Sequence, residues 1–106
     1  MEKYIQMYTT TETRQYAEAI ASTLVEQKLA GCVQIIGPIV STYRWEGDIE
    51  CEEEWLCSIK TSKELFAEVE KTIKSIHPYD VPEIIAVPIV GGSSEYLSWL
   101  GEQLEK

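Results

Sequence analysis

The apolar positions change period several times along the chain, and each change marks an element. From Tyr4 to Thr10 aromatic, β-branched and threonine side chains dominate, which suits a pleated strand. From Glu12 the spacing becomes helical: Ala17, Ile20, Ala21 and Leu24 share one face, and Glu12, Gln15, Glu18 and Ser22 lie on others. This predicts an amphipathic helix of about four turns, stopped at Gly31. Cys32 to Ile36 is strand-like again, Gly37-Pro38 interrupts it as a bulge or kink, and Ile39 to Trp45 resumes it. Glu46-Gly47-Asp48 is turn chemistry, and on the returning strand Trp55, Cys57 and Ile59 alternate with Leu56, Ser58 and Lys60. The two runs therefore pair as a long hairpin.

Thr61 with Glu64 three residues on has the form of a capping box, and Leu65, Val69, Ile73 and Ile76 then recur at helical spacing. His77-Pro78-Tyr79 ends this second helix, because the residue before a proline is driven out of the helical region. Ile84 to Val90 is a final apolar strand, flanked by Pro82 and carrying Pro88. Proline donates no ladder hydrogen bond, so that strand belongs at a sheet edge. Gly91-Gly92 and Ser93-Ser94 lead into a closing helix whose Tyr96, Leu97, Leu100 and Leu104 are placed to cover an apolar face. The order β-α-β-β-α-β plus a terminal helix predicts an α+β fold. It is a ferredoxin-like βαββαβ sandwich with a long central hairpin, helices on one face and an extra C-terminal helix, forming a single domain over residues 1–106.

Composition narrows the partners. With 18 acidic against 9 basic residues the net charge is -9, which repels phosphate backbones and anionic membrane surfaces, so no nucleic acid is expected. No stretch is long and apolar enough to span a bilayer, and Met1-Glu2-Lys3-Tyr4 has no basic n-region followed by an apolar one; no membrane partner and a cytoplasmic location are expected. Cys32, Cys51 and Cys57 are an odd number without a C-x-x-C pair, which points to reduced thiols rather than a disulfide framework or a zinc site.

Candidate chemistry is sparse. His77 is the only histidine: it is placed either to bond a terminal carbonyl and pack on Tyr79, or to serve as a ligand or pocket residue. Glu46, Asp48, Glu50, Glu52, Glu53 and Glu54 put six carboxylates in nine residues, a density that attracts hard cations or simply solvates a hairpin end; the EF-hand pattern is absent. Arg44 and Lys60 are placed to pair with this acidic excess or to hold an anionic small molecule. No phosphate-loop, dinucleotide or nucleophile-elbow motif occurs, and Gly91-Gly92-Ser93 is too short to cradle a phosphate by itself. The aromatic residues Tyr43 and Trp45 on the hairpin read as interface residues.

Five separated motifs carry a family resemblance: Lys28-Leu29-Ala30-Gly31-Cys32-Val33, Ser41-Thr42-Tyr43-Arg44-Trp45-Glu46-Gly47, Ile59-Lys60-Thr61, His77-Pro78-Tyr79-Asp80-Val81-Pro82-Glu83-Ile84 and Tyr96-Leu97-Ser98-Trp99-Leu100. In this order they resemble the CutA divalent-cation tolerance proteins. The resemblance implies a ferredoxin-like subunit, a homotrimer joined through sheet edges and long hairpins, an architecture similar to the PII signalling proteins, and a role in tolerance of copper and other divalent metals. Copper ligation proposed for members of the family draws on a first-strand cysteine and a histidine pair before Pro-Tyr. Here Tyr4 to Thr10 has no cysteine and the pair reads Ile76-His77, so His77 alone carries over as a metal ligand.

The leading functional expectation is a non-enzymatic homotrimer in divalent-metal homeostasis, binding Cu(II) or another divalent cation weakly and needing no obligatory cofactor. The alternative is a PII-like signalling module that holds a small metabolite between subunits, with Tyr43, Lys60, His77, Tyr79 and Glu83 as the polar lining. An enzyme using His77 or Glu83 as general base ranks below both, because no neighbouring nucleophile is identified. The assembly has its own argument. Ile49 to Lys60 extends about 40 Å at the usual rise per residue, further than a domain this small covers. Part of the hairpin must then project, and Tyr43, Trp45 and Ile49 are the expected trimer interface.

Overall fold

The computed structural model describes residues 3–105; Met1, Glu2 and Lys106, and with them the reading of the first two positions, lie outside the described residues. The order is β1 (Tyr4–Thr11), α1 (Arg14–Glu26), β2 (Cys32–Trp45), β3 (Asp48–Ser62), a 3-10 turn (Lys63–Leu65), α2 (Phe66–Ile76), β4 (Ile85–Pro88) and α3 (Ser94–Gln103). The strands form one antiparallel sheet in the order β2-β3-β1-β4, so that β3 is inserted between the two strands that α1 connects. This is the α+β split arrangement that the element order predicts.

Local chemistry explains most boundaries. The Thr13 hydroxyl caps α1 by accepting from the Tyr16 N–H at 3.2 Å, and Ala17, Ile20 and Leu24 form the buried face. The helix stops earlier than Gly31: Lys28 takes the left-handed conformation with φ 60, and Leu29 N–H returns to the Leu24 carbonyl at 2.9 Å. Gly31 has a different reason, since a Cβ there would stand 2.5 Å from Leu100 Cδ1. The capping box at Thr61 does not form. β3 runs on through Ser62, and the Thr61 hydroxyl donates instead to the Leu29 carbonyl at 2.6 Å, tying the strand to the end of α1.

In the hairpin, Trp45 pairs with Asp48 across Glu46 and Gly47, whose φ values of 50 and 88 are those of a tight turn that suits the strands' twist. The register shifts between Ile36 and Ile39, where Gly37-Pro38 was expected to bulge. A side chain on Gly37 would meet the Trp55 ring at 2.7 Å. β4 does lie at the sheet edge, but it is shorter than Ile84–Val90: Pro88 offers no donor, and beyond it only Ile89 N–H reaches back, to the Tyr4 carbonyl at 3.0 Å.

The core lies between the sheet and two helices. Ile5, Met7, Cys57 and Ile59 from the sheet meet Ala17, Ile20 and Leu24 of α1 and Val69 and Ile73 of α2. Burial of these side chains is the main source of stability, at about 25 cal/mol for each Å² of apolar surface removed from water. The other sheet face carries Gln6, Tyr8, Ser58 and Lys60, and further along β3 it carries Glu54. The molecule measures 44 Å against 25 and 22 Å, the proportions of a hairpin longer than the body it grows from. On it Val40 and Ile49 are 69% and 68% exposed.

Candidate functional site

On the face away from the core, the hairpin and the segment after α2 enclose a half-open cleft of about 520 Å³. The strand alternation puts Ser41, Tyr43 and Trp45 of β2 beside Glu52 and Glu54 of β3. Pro78 and Pro82 stiffen the chain between them, and Tyr79, Asp80 and Glu83 close the opposite side. Five carboxylates thus line the cleft, those of Glu12, Glu52, Glu54, Asp80 and Glu83, with no lysine or arginine among the lining residues.

Two phenols are bound into this acidic wall. Tyr79 donates to Glu54 Oε2 at 2.8 Å, and Tyr43 donates to Glu52 Oε1 at 3.0 Å. Burial, then the bond to Glu54, hold the Tyr79 hydroxyl well above the usual phenol range; the bond to Glu52 raises that of Tyr43. Both therefore act as donors, not as anions. Glu54 is buried, at 6% exposure, whereas Glu46, Asp48, Glu52 and Glu53 farther along the hairpin stand in solvent.

Of the expected pocket residues, Tyr43, Tyr79 and Glu83 come together here and two do not. Lys60 shares a sheet face with Glu54 but lies six residues along the strand, roughly 20 Å at the rise of a strand, and its ammonium donates to the Gln34 side chain. His77 lies behind the cleft, 8% exposed, with Nε2 at 2.7 Å from the Thr10 carbonyl and Nδ1 accepting from the Tyr79 N–H at 3.2 Å. These partners call for the tautomer with hydrogen on Nε2. The ring stacks obliquely on Tyr79 at 4.7 Å between centroids. The imidazole thus positions the cleft wall, and a metal would have to displace one of its two bonds. Arg44 turns back to the Gly47 carbonyl at 3.4 Å.

The donor set does not fit a copper cage within one chain. Among the described residues no group of three or more His, Cys, Asp or Glu side chains converges as metal ligands. Cys57 is sealed in the core and its thiol is pushed up to about 11 by burial, while Cys51 is exposed on the hairpin. Sequence reasoning assigned neither Glu12 nor Asp80 to a site, and it named Glu54 only among the hairpin's carboxylates. Glu54 reads in the sequence as one more solvated acid of the hairpin, and its burial depends on Tyr79 crossing over it. Trp45 and Ile49, expected at a subunit interface, are exposed at 45% and 68%, and Tyr43 at 39%.

Comparison with known proteins gives one family. A family model described as CutA1 divalent ion tolerance protein matches residues 5–103. The Divalent-cation tolerance protein CutA of Thermus thermophilus is 43% identical over 93 residues, 88% of this chain and 90% of that one. Protein CutA, chloroplastic, of Arabidopsis thaliana is 43% identical over 96 residues, 91% of this chain but 53% of its own length, so this chain spans about half of that relative. The solved structure of the periplasmic divalent cation tolerance protein CutA from Archaeoglobus fulgidus superposes with a TM-score of 0.94 at 43% identity, covering 96% of this chain and 99% of that one.

Proposed function

The chain belongs to the CutA1 divalent ion tolerance family, and from that membership we propose that it works as a non-enzymatic homotrimer in divalent-metal tolerance, its acidic cleft attracting divalent cations weakly. The observation that carries the reading is the lining of five carboxylates without a base. Such a field raises the local concentration of any cation. Without converging ligands it selects poorly among metals, because selectivity for copper needs several nitrogen or sulfur donors in fixed geometry. Equilibrium dialysis against Cu(II), Zn(II) and Mg(II) tests this. Weak uptake of all three, reduced severalfold by Glu52→Gln with Glu83→Gln, is expected; no uptake, or uptake unchanged in the variant, contradicts it.

The trimer is supported by the projecting hairpin, whose exposed Val40, Trp45 and Ile49 and whose β2 edge, unpaired among the described residues, are surfaces that soluble proteins cover with another chain. Since Tyr43 and Trp45 line the cleft and are also interface candidates, the proposed trimer places each cleft at a subunit boundary. A second reading has its own observation. A cleft of about 520 Å³ with aromatic walls has the size and lining of a small-molecule site, which favours a PII-like module responding to a metabolite.

A further inference from the structure

The cleft has a property besides its overall charge. Glu54 is 6% exposed, yet among the described residues it makes no ion pair, and its one hydrogen bond is that from the Tyr79 phenol to Oε2. The other oxygen takes no bond within the described chain and is not sealed off, so it faces solvent. A carboxylate this little exposed, with no counter-charge beside it, is a natural partner for a cation that enters the cleft. This one lines a cavity that opens to solvent, so the missing charge has a route in.

The walls around it decide which cation fits. Tyr43, Trp45 and Tyr79 line the same space, and aromatic faces attract a cation most strongly when it is weakly hydrated and partly desolvated. A hard divalent ion needs several oxygen ligands at fixed distances, and no such group converges among the described residues. An anionic ligand would meet five acids and no base. A quaternary ammonium head on a short stem matches on all three counts: one positive charge, weak hydration, and methyl groups for the rings.

We infer that the cleft binds a small organic monocation, a quaternary ammonium compound, with Glu54 as its counter-charge and Tyr43, Trp45 and Tyr79 enclosing its head. The inference rests on the reading of this cleft as a small-molecule site. Calorimetric titration of the full chain tests it, with choline, with the uncharged isostere in which a tert-butyl group replaces the trimethylammonium, and with magnesium chloride at matched ionic strength. Choline should bind the wild type at least tenfold more tightly than the isostere or magnesium. Glu54→Gln keeps an acceptor for the Tyr79 phenol and removes the charge, and should weaken choline at least tenfold. Equal binding of choline and its isostere overturns the inference and leaves a small-molecule cleft standing, whereas no binding of either overturns both. Magnesium binding as tightly as choline overturns it in favour of a general cation site. If Glu54→Gln does not fold, the wild-type ratio of choline to isostere decides alone.

Discussion

Tyr79 and Glu54, 25 positions apart in sequence, meet at 2.8 Å, the phenol donating to the carboxylate. That bond fastens the segment after α2 to the base of the hairpin, and it makes one wall of the cleft out of two elements that share no strand pairing. His77, two residues earlier, fastens the same segment to the Thr10 carbonyl on β1. The cleft is therefore held by two bonds at adjacent points of one short loop.

Removing the first of these should be measurable. Tyr79→Phe keeps the ring and leaves a buried carboxylate without its hydrogen bond, which should destabilise the fold by about 1.5–3 kcal/mol, the range for bonds to charged groups. Tyr43→Phe removes a solvent-exposed bond and should change stability far less. Urea unfolding at fixed chain concentration compares the two, and equal effects would contradict the assignment of Glu54 as the buried partner.

His77→Ala removes both bonds of the ring and opens a void behind Tyr79, with an expected loss of about 2–4 kcal/mol. Divalent-metal uptake should stay within threefold of wild type wherever the variant is folded, because the ring is not among the residues that line the acidic cleft. Loss of metal uptake with unchanged stability would make His77 a ligand instead.

Much of the fold was legible, for reasons that particular residues show. The helical stripe of Ala17, Ile20 and Leu24, the Glu46-Gly47 turn, the Gly37-Pro38 irregularity and the edge position of β4 all follow from local chemistry and appear in place. Local chemistry failed where tertiary contacts took over the residue. Thr61 has the spacing of a cap but spends its hydroxyl on Leu29, and Gly31 looks like a helix stop but makes room for Leu100. The cleft was half legible. Tyr43, Tyr79 and Glu83, named from their motifs, line one cleft of the chain, whereas Lys60 lies elsewhere on the same sheet face because no motif gives the distance along a strand, and the burial of Glu54 is hidden in the sequence because it is a property of what crosses over it.

Cys57 makes stability depend on alkaline pH. Burial raises its folded-state value from 9.0 to about 11, so the folded chain keeps a proton that the unfolded chain releases. This contribution is fully present below pH 9 and is lost as the pH climbs through 11, by roughly 2–3 kcal/mol over two units. Thermal unfolding from pH 8 to 11 should show a steeper decline in wild type than in Cys57→Ala, and identical slopes would contradict it. Native alkylation should reach the exposed Cys51 long before Cys57.

Thr9 is fully buried, and among the described residues its hydroxyl has no hydrogen-bond partner. Thr9→Val fills the same space without a stranded polar atom, so it should raise stability by about 1 kcal/mol in urea unfolding. A loss of that size would show that the native hydroxyl is bonded.

Assembly decides both how the exposed hairpin is covered and whether the cleft lies at the proposed subunit boundary. Light scattering coupled to size-exclusion chromatography at micromolar concentration measures it directly. The expected result is a single species of three times the 12.1 kDa subunit, weakened by Trp45→Ala or Tyr43→Asp together with its melting temperature. A monodisperse, fully folded 12.1 kDa monomer of the wild type would contradict it.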